Sequence, residues 1–155
     1  MSSLRRLSAS PEANLLLFSF LVNFVWEMWQ VPFYQGLSAM DHMSAVRICT
    51  QASIGDGVIS LLAFWSAAAV VRSRRWYLSL TTISALIYWT VGIVITVVME
   101  WLATGPLDRW QYAISMPRLP VVGTGMLPLL QWVLLPAVIL FFVRRQVRGA
   151  EVSLD

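Results

Sequence analysis

Four long apolar runs, separated by short polar stretches, dominate the hydrophobic pattern of the chain. They cover residues of about 14–33, 45–71, 78–102 and 126–143. A transmembrane helix needs about 20 apolar residues to cross about 30 Å of hydrocarbon, and each run is near or above that length. The pattern therefore predicts an all-α membrane protein, a four-transmembrane-helix antiparallel bundle that forms a single integral-membrane domain over residues 1–155.

The stretch between the third and fourth runs differs from an ordinary polar loop. Residues 103–124 are apolar and aromatic, yet Pro117, Pro120 and Gly123 disfavour a regular helix in the second half. Non-helical backbone at membrane depth is tolerated only against protein or a wet cavity. We therefore predict an ordered Pro/Gly-rich loop that caps the helix ends, with Trp110 in the aromatic belt of the outer interface.

Composition supports a membrane location. Hydrophobic residues make up 58% of the chain and charged residues 12%, and the mean hydropathy is +0.70. Soluble domains carry roughly 25% charged residues, so this chain lacks the polar surface that water requires. The net charge of +3 does not indicate nucleic acid, because the basic residues are all arginines and most lie in short clusters beside the apolar runs.

The arginines also predict the orientation. Eight fall on one side of the predicted bundle and three on the other: Arg5, Arg6, Arg72, Arg74, Arg75, Arg144, Arg145 and Arg148 against Arg47, Arg109 and Arg118. Cytoplasmic loops carry the excess of basic residues, so both termini are predicted to be cytoplasmic and residues 35–44 and 103–124 to face outward. The sequence thus predicts a multi-pass protein of the bacterial inner membrane.

Three carboxylates interrupt the apolar runs. Glu27, Asp56 and Glu100 lie about 20, 22 and 33 Å from the cytoplasmic ends of their helices, at 1.5 Å per residue, so all belong to the outer half. Ionisable groups inside spans cost about 2.5–3.5 kcal/mol each at a helix centre and are functional by default. Because an unpaired buried charge is expensive, we expect the outward arginines to pair with them, and the sequence leaves the pairing open.

Helical spacing groups further polar residues with these carboxylates. Each of the four helices is predicted to turn one polar stripe away from lipid: Asn23, Glu27, Gln30 and Tyr34 on the first, Cys49, Ser53, Asp56 and Ser60 on the second, Ser84, Tyr88, Gly92, Thr96 and Glu100 on the third, and Gln131 on the fourth. Such stripes often only bond neighbouring helices, at about 0.6 kcal/mol per contact. The convergence of three carboxylates favours a functional interpretation.

The best hypothesis is a metal-free acid/base enzyme, isomerase- or cyclase-like, that acts on a lipid-soluble small molecule. The candidate catalytic residues are Glu27, Asp56, Glu100 and Tyr88, and the candidate substrate-binding residues are Asn23, Gln30, Trp26, Arg47, Arg118 and Gln131. The rings of Trp26, Trp29 and Trp132 are suited to face a developing carbocation.

Two other functions remain open. The chain is alternatively a non-catalytic subunit or assembly factor of a larger membrane complex, with its polar end as a docking surface. The second alternative is a small proton- or cation-coupled transporter, for which four helices are few and a homodimer is needed. No cofactor or metal is expected, because the chain has one histidine, one cysteine and no glycine-rich phosphate loop.

The chain resembles small bacterial four-span membrane proteins. The resemblance is carried by Trp26-Glu27, by Gly55-Asp56-Gly57, and by Met116-Pro117 with Pro120 ahead of Gly123 and Gly125. It implies a four-span bacterial membrane protein and brings no activity with it.

Overall fold

The computed structural model describes residues 9–120 and 123–152. It contains four long α-helices, α1 (Pro11–Gln30), α2 (His42–Val71), α3 (Thr82–Thr104) and α4 (Met126–Val152). Short 3-10 turns cover Val31–Phe33, Leu37–Ala39 and Trp76–Leu78. The described residues form no β-strand, only isolated bridges between Tyr34 and Tyr112 and between Arg118 and Gly125.

All four helices have the length and composition of membrane spans. Mean hydropathy rises from 1.3 in the first span to 2.3 in the last. Large apolar side chains cover the outside of the bundle, among them Val25, Ile83 and Leu86, each 60% exposed or more. The chain is therefore a multi-pass membrane protein with an all-helical fold, whose outer surface contacts the lipid bilayer.

Capping residues determine where the helices begin. The Ser10 hydroxyl accepts from Ala13 N at 3.3 Å, and Pro11 suits the first turn, so α1 starts three residues before the apolar run. The Asp41 carboxylate accepts from Ser44 N at 3.0 Å at the start of α2. Thr81 forms a capping box with Ser84, so α3 starts four residues later than predicted.

The fourth helix is longer than its apolar run. The run ends at about Val143 but the helix continues to Val152. The arginines that follow the run have good helix propensity, so the helix does not end where the hydropathy falls. Arg144 donates to the backbone carbonyls of Tyr77 and Leu78, and Arg148 donates to Leu78 O at 3.1 Å. The α2–α3 connection is thereby tied to α4. Arg5 and Arg6, which contributed to the orientation, lie outside the described residues.

Each helix packs mainly on two neighbours. α1 packs on α2 and α4, and α3 packs on the same two helices. The larger apolar core lies at the end that holds the first turns of α1 and the α2–α3 connection; it includes Leu15, Phe64, Trp76, Tyr77, Leu140 and Val147. A smaller cluster of Tyr34, Tyr112, Met116 and Leu127 lies at the other end.

The α1–α2 and α3–α4 connections meet at that other end. Gln35 N donates to Gln111 O at 2.8 Å, and Ala113 N donates to Phe33 O at 2.9 Å, on either side of the Tyr34–Tyr112 bridge. We call these two connections, residues 31–40 and 105–120, the cap. Their pairing holds two tyrosine side chains over the end of the bundle.

Candidate functional site

Gln131 of α4 joins three helices through its side-chain amide. Its Nε2 donates to Asn23 Oδ1 and Asp56 Oδ2 at 2.8 Å each and to Glu27 Oε1 at 3.3 Å. An amide nitrogen carries two hydrogens, so the two short bonds use its capacity and the Glu27 contact is the weaker one. Gln131 is only 3% exposed, which makes it the buried centre of the polar residues.

A hydrogen-bonded chain extends from Asn23 into the bundle. Asn23 Nδ2 donates to Ser19 O at 2.8 Å and to Ser19 Oγ at 3.0 Å. The Ser19 and Ser60 hydroxyls are 2.9 Å apart. All three side chains are buried, and the Asn23 oxygen is left to accept from Gln131.

Glu100 of α3 accepts hydrogen bonds from the cap. The Tyr112 hydroxyl donates to Glu100 Oε2, and Trp110 Nε1 donates to the same oxygen at 3.5 Å. The Tyr34 ring packs against both, 5.7 Å from the Tyr112 centroid and 6.4 Å from that of Trp110. Because Tyr112 and Glu100 are both buried, the cap covers this carboxylate.

The three carboxylates share one region. Glu27 interacts electrostatically with both Glu100 and Asp56, as Asp56 does with Glu100. Each helix therefore contributes one side chain near the bundle axis: Glu27 from α1, Asp56 from α2, Glu100 from α3 and Gln131 from α4. Helical spacing predicted that these residues lie on faces turned away from lipid, and the positions of the carboxylates along their helices predicted similar heights in the bundle.

The two cap tyrosines remain neutral. Burial raises the pKa of Tyr112 above its ordinary value, and the charge of Glu100 raises it further. Burial likewise raises the pKa of Tyr34, with added contributions from Glu100 and Glu27. Near neutral pH both phenols keep their protons, so Tyr112 acts as a hydrogen-bond donor.

The predicted pairing of arginines with these carboxylates is wrong. Arg47, Arg109 and Arg118 are exposed, and among the described residues no ion pair reaches Glu27 or Asp56. Arg118 donates instead to Tyr112 O at 3.1 Å and stacks its guanidinium 5.1 Å from the Tyr112 ring centroid. Neutral amide, phenol and indole donors contact the carboxylates in place of the arginines.

Other predicted site residues are only partly brought together. Trp26 Nε1 donates to Gln30 Oε1 at 3.1 Å, so these two candidate substrate-binding residues contact each other. Tyr88 lies three turns along α3 from Glu100, about 18 Å away, and is not in its vicinity. The Tyr88 ring packs against two tryptophans, with its centroid 5.3 Å from that of Trp76 and 6.5 Å from that of Trp132.

Among the described residues, four buried side-chain atoms make no hydrogen bond of standard geometry: Trp132 Nε1, Thr96 Oγ1 and Tyr88 OH, with Thr124 Oγ1 beside the cap. Two of them nevertheless face a polar partner, since Trp132 Nε1 lies beside the Asp56 carboxylate and Tyr88 OH lies beside the Ser60 hydroxyl.

Two aromatic residues of the cap, Trp110 and Tyr112, were missed as site residues. The sequence placed Trp110 in an interfacial belt and Tyr34 on the polar stripe of the first helix, whereas the structure turns Trp110, Tyr112 and Tyr34 onto Glu100 and its surroundings. The available signal was the apolar, proline-rich character of the loop. A shallow groove of about 740 Å³ opens beside the two tyrosines and is also lined by Pro32, Gln35, Ser38 and Ile114.

Comparison with protein-family models, with curated proteins and with solved structures finds no match. The resemblance to four-span bacterial proteins therefore gains no support from these comparisons. Within residues 9–120 and 123–152, no three His, Cys, Asp or Glu side chains are grouped so as to hold a metal ion.

Proposed function

We propose that this chain is a membrane-embedded enzyme that uses carboxyl groups as acid and base on a lipid-soluble substrate, in an isomerase- or cyclase-like reaction. The observation that carries the proposal is the convergence of Glu27, Asp56 and Glu100 near the bundle axis with neutral donors only. Carboxylates held in apolar surroundings without a cation are suited to taking up and releasing protons.

The hydrogen bonds suggest different roles for the carboxyl groups. Asp56 accepts the shorter bond from Gln131 and is proposed as the base, since a donor stabilises the charged form. Glu27 accepts the longer bond and is proposed as the acid. Glu100, with its phenol and indole donors, is an electrostatic partner of both.

Transport through one bundle is less well supported. The polar chain that starts at Gln131 passes through the amide of Asn23 and reaches Ser19 and Ser60. Amides do not readily relay protons, because their donor and acceptor atoms are distinct. Beyond Ser60, the apolar core around Phe64 and Leu140 fills the bundle. These features favour a polar site at one end of the bundle over a path that crosses the bundle.

A purely structural role in a larger complex is the alternative to catalysis. A non-catalytic subunit or a homodimeric transporter would reveal itself by a stoichiometric partner in mild detergent. A monomeric, active protein is expected instead.

The proposed topology is an antiparallel bundle in the bacterial inner membrane with both termini in the cytoplasm. Two contacts support the antiparallel order: Ser19 in the first half of α1 bonds Ser60 in the second half of α2, and Arg144, late in α4, bonds Leu78 just ahead of α3. The arginine distribution supports the orientation. The carboxylates and the cap would then lie in the outer half of the membrane.

Deuterium incorporation tests for proton-transfer activity even though the substrate is unidentified. Purified protein in D₂O with a bacterial lipid extract is expected to add deuterium to one lipid class, detected by mass spectrometry. Glu27→Gln and Asp56→Asn should each lower the incorporation rate by about 10²-fold or more, because each removes one proton-transfer group. Glu12→Gln is the matched control, since Glu12 pairs with Arg74 at the opposite end of the bundle.

Two outcomes would remove the proposal. One is that no lipid gains deuterium above a protein-free blank. The other is that both carboxylate variants incorporate deuterium at the rate of Glu12→Gln.

A further inference from the structure

A separate pocket opens at the arginine-rich end of the bundle, where the α2–α3 connection meets the start of α3. Its volume is about 400 Å³, within the range of roughly 300–1,000 Å³ that small-molecule sites occupy. Arg75 lines this pocket together with the hydroxyl residues Ser73 and Ser79 and the apolar residues Val71 and Leu78. The pocket thus combines a positive charge, hydroxyl groups and an apolar wall, and the proposed reaction does not use it.

The polar groups of the lining are suited to donate hydrogen bonds. Ser73 Oγ accepts from Arg75 N at 3.3 Å, which leaves its hydroxyl hydrogen for another acceptor. Ser79 is exposed, so its hydroxyl is accessible to a ligand in the pocket. The first turn of α3, which begins at Thr82, adds backbone N–H groups that favour a nearby negative charge. An anion with several acceptor oxygens fits this set of donors.

Positive charge is in excess around the pocket. Leu78 O accepts from Arg144 Nη2 at 3.2 Å and from Arg148 Nη2 at 3.1 Å, so two further guanidiniums adjoin the lining. Among the side chains that the structure describes at this end of the bundle, Glu12 is the only acidic one, and it pairs with Arg74. The surplus of arginines attracts an anionic ligand and repels a cationic one.

The pocket also borders the surface that faces lipid. Val70 precedes the lining residue Val71 in the chain, and Ile83 precedes the lining residue Ser84. Val70, Ile83 and the nearby Leu86 are each 60% exposed or more. A molecule that contacts both regions needs an apolar body and an anionic head. A phospholipid has this form, because its phosphate lies where the hydrocarbon meets the polar interface.

We propose that this pocket binds the phosphate headgroup of an anionic phospholipid, with Arg75 and Arg148 as charged donors and the hydroxyls of Ser73 and Ser79 as neutral donors. A guanidinium carries five N–H donors, so each arginine can contact a phosphate in addition to its contacts within the protein. A zwitterionic headgroup binds less well, because the arginines repel its ammonium group. The inference does not rest on the proposed function. In the proposed orientation the pocket faces the cytoplasmic leaflet, where anionic lipids make the surface potential negative.

The experiment measures lipid binding to the full-length protein in detergent by native mass spectrometry. The probes are phosphatidylglycerol, phosphatidylcholine with the same acyl chains, and inorganic phosphate, at an ionic strength of about 0.15 M, where exposed charges are screened beyond about 8 Å. Arg75→Gln removes the charge that lines the pocket. Arg145→Gln is the matched control, because Arg145 is exposed at the same end of the bundle and does not line the pocket.

Phosphatidylglycerol is expected to bind wild type and Arg145→Gln within about twofold of each other. Arg75→Gln should bind it about 5–10-fold more weakly, the factor that one basic residue contributes near an anionic lipid. Phosphatidylcholine should bind all three proteins more weakly than phosphatidylglycerol binds wild type.

Four results would overturn the proposal. Arg75→Gln could bind phosphatidylglycerol as well as wild type does, or Arg145→Gln could weaken binding as much as Arg75→Gln, which would indicate general charge attraction. Phosphatidylcholine could bind as tightly as phosphatidylglycerol. Inorganic phosphate could displace phosphatidylglycerol at equal concentration, which would assign the pocket to the free ion.

A crosslinking measurement on wild type needs no folded variant. Phosphatidylglycerol with a photoactivatable diazirine on its headgroup should crosslink to residues 71–84, and peptide mass spectrometry locates the crosslinked residues. Unlabelled phosphatidylglycerol should compete with the crosslink and phosphatidylcholine should not. Crosslinks confined to other segments of the chain would contradict the proposed site.

Discussion

At the level of single residues, the hydrogen bonds between Asn23, Asp56 and α4 depend on the side chain of Gln131. Gln131→Leu removes the donor of Asp56 Oδ2 and Asn23 Oδ1 and buries both acceptors beside a hydrocarbon side chain. We expect the free energy of unfolding to fall by about 3 kcal/mol, since each buried unsatisfied group costs about 1–3 kcal/mol. Denaturant unfolding in mixed micelles measures the change.

Gln51→Leu provides the comparison for that substitution. Gln51 is exposed on α2, so the same chemical change there should alter stability by less than about 0.5 kcal/mol. Equal stability of the two variants would mean that the Gln131 amide is not a structural centre.

The cap tyrosines make stability sensitive to alkaline pH. Burial and the nearby Glu100 charge raise the pKa of Tyr112 above 10.0, the ordinary value of a tyrosine phenol. The folded state therefore favours the protonated phenol; its contribution is complete below pH of about 10 and is lost as pH rises through the folded-state value. Unfolding midpoints measured from pH 7 to 11 should fall above pH 10, and Tyr112→Phe should show a smaller fall.

A fall of the same size in wild type and Tyr112→Phe would assign the alkaline transition to other groups. At neutral pH the variant should already be less stable, because Glu100 loses its phenol donor. Hydrogen bonds to charged groups contribute about 1.5–3 kcal/mol.

At the residue scale, the sequence predicted which side chains lie near the polar centre better than it predicted which side chains they contact. Helical spacing placed Asn23, Glu27, Asp56 and Gln131 on faces turned away from lipid, and they meet. Helical spacing did not indicate that Gln131 would contact the other three side chains, because the spacing within one helix does not specify which residues of a neighbouring helix lie opposite. Ion pairing of the arginines was expected from charge alone. The expectation failed because Arg118 stays exposed and contacts a backbone carbonyl and an aromatic ring of the cap instead of a carboxylate.

The helices themselves were predictable because about 20 consecutive apolar residues leave few alternatives. Their ends were less so. Apolar runs end where hydropathy changes, whereas helices end where capping groups satisfy the backbone, as at Ser10, Asp41 and Thr81. The cap could not be predicted in detail, since its pairing across the Tyr34–Tyr112 bridge depends on residues far apart in the sequence.

The contact between α3 and α4 depends on a glycine. Gly92→Ala places a methyl group 2.0 Å from Trp132 Cζ3, so the ring or the helices have to move. We expect a loss of about 1–3 kcal/mol in the free energy of unfolding, in the range of overpacked cores. Thermal unfolding followed by tryptophan fluorescence measures it.

Gly55→Ala is the matched substitution for Gly92→Ala. Gly55 lies in α2 with nothing within 4 Å of its added methyl group, and alanine is the better helix former. It should leave stability unchanged or raise it by up to about 1 kcal/mol. If both alanines behaved alike, the close approach of Trp132 would not contribute to the packing of α3 on α4.

For the whole molecule, the two ends of the bundle differ in character. One end holds the larger apolar core together with Arg74, Arg144 and Arg148, and the other holds the carboxylates under the cap. The proposed function requires that the bundle has one fixed orientation in the membrane. With the arginine-rich end in the cytoplasm, the groove beside Tyr34 and Tyr112 opens to the outside.

Cysteine labelling tests that orientation, because the only natural cysteine is easily replaced. Cys49 is 1% exposed, and Cys49→Ala gives a cysteine-free background. Ser115→Cys in the cap should react with a membrane-impermeant maleimide in intact spheroplasts, whereas Ser73→Cys in the α2–α3 connection should react only after permeabilisation. Both serines are exposed, so accessibility reports the side of the membrane. The reverse labelling pattern would place the carboxylates toward the cytoplasm and require the substrate to reach the cap from there.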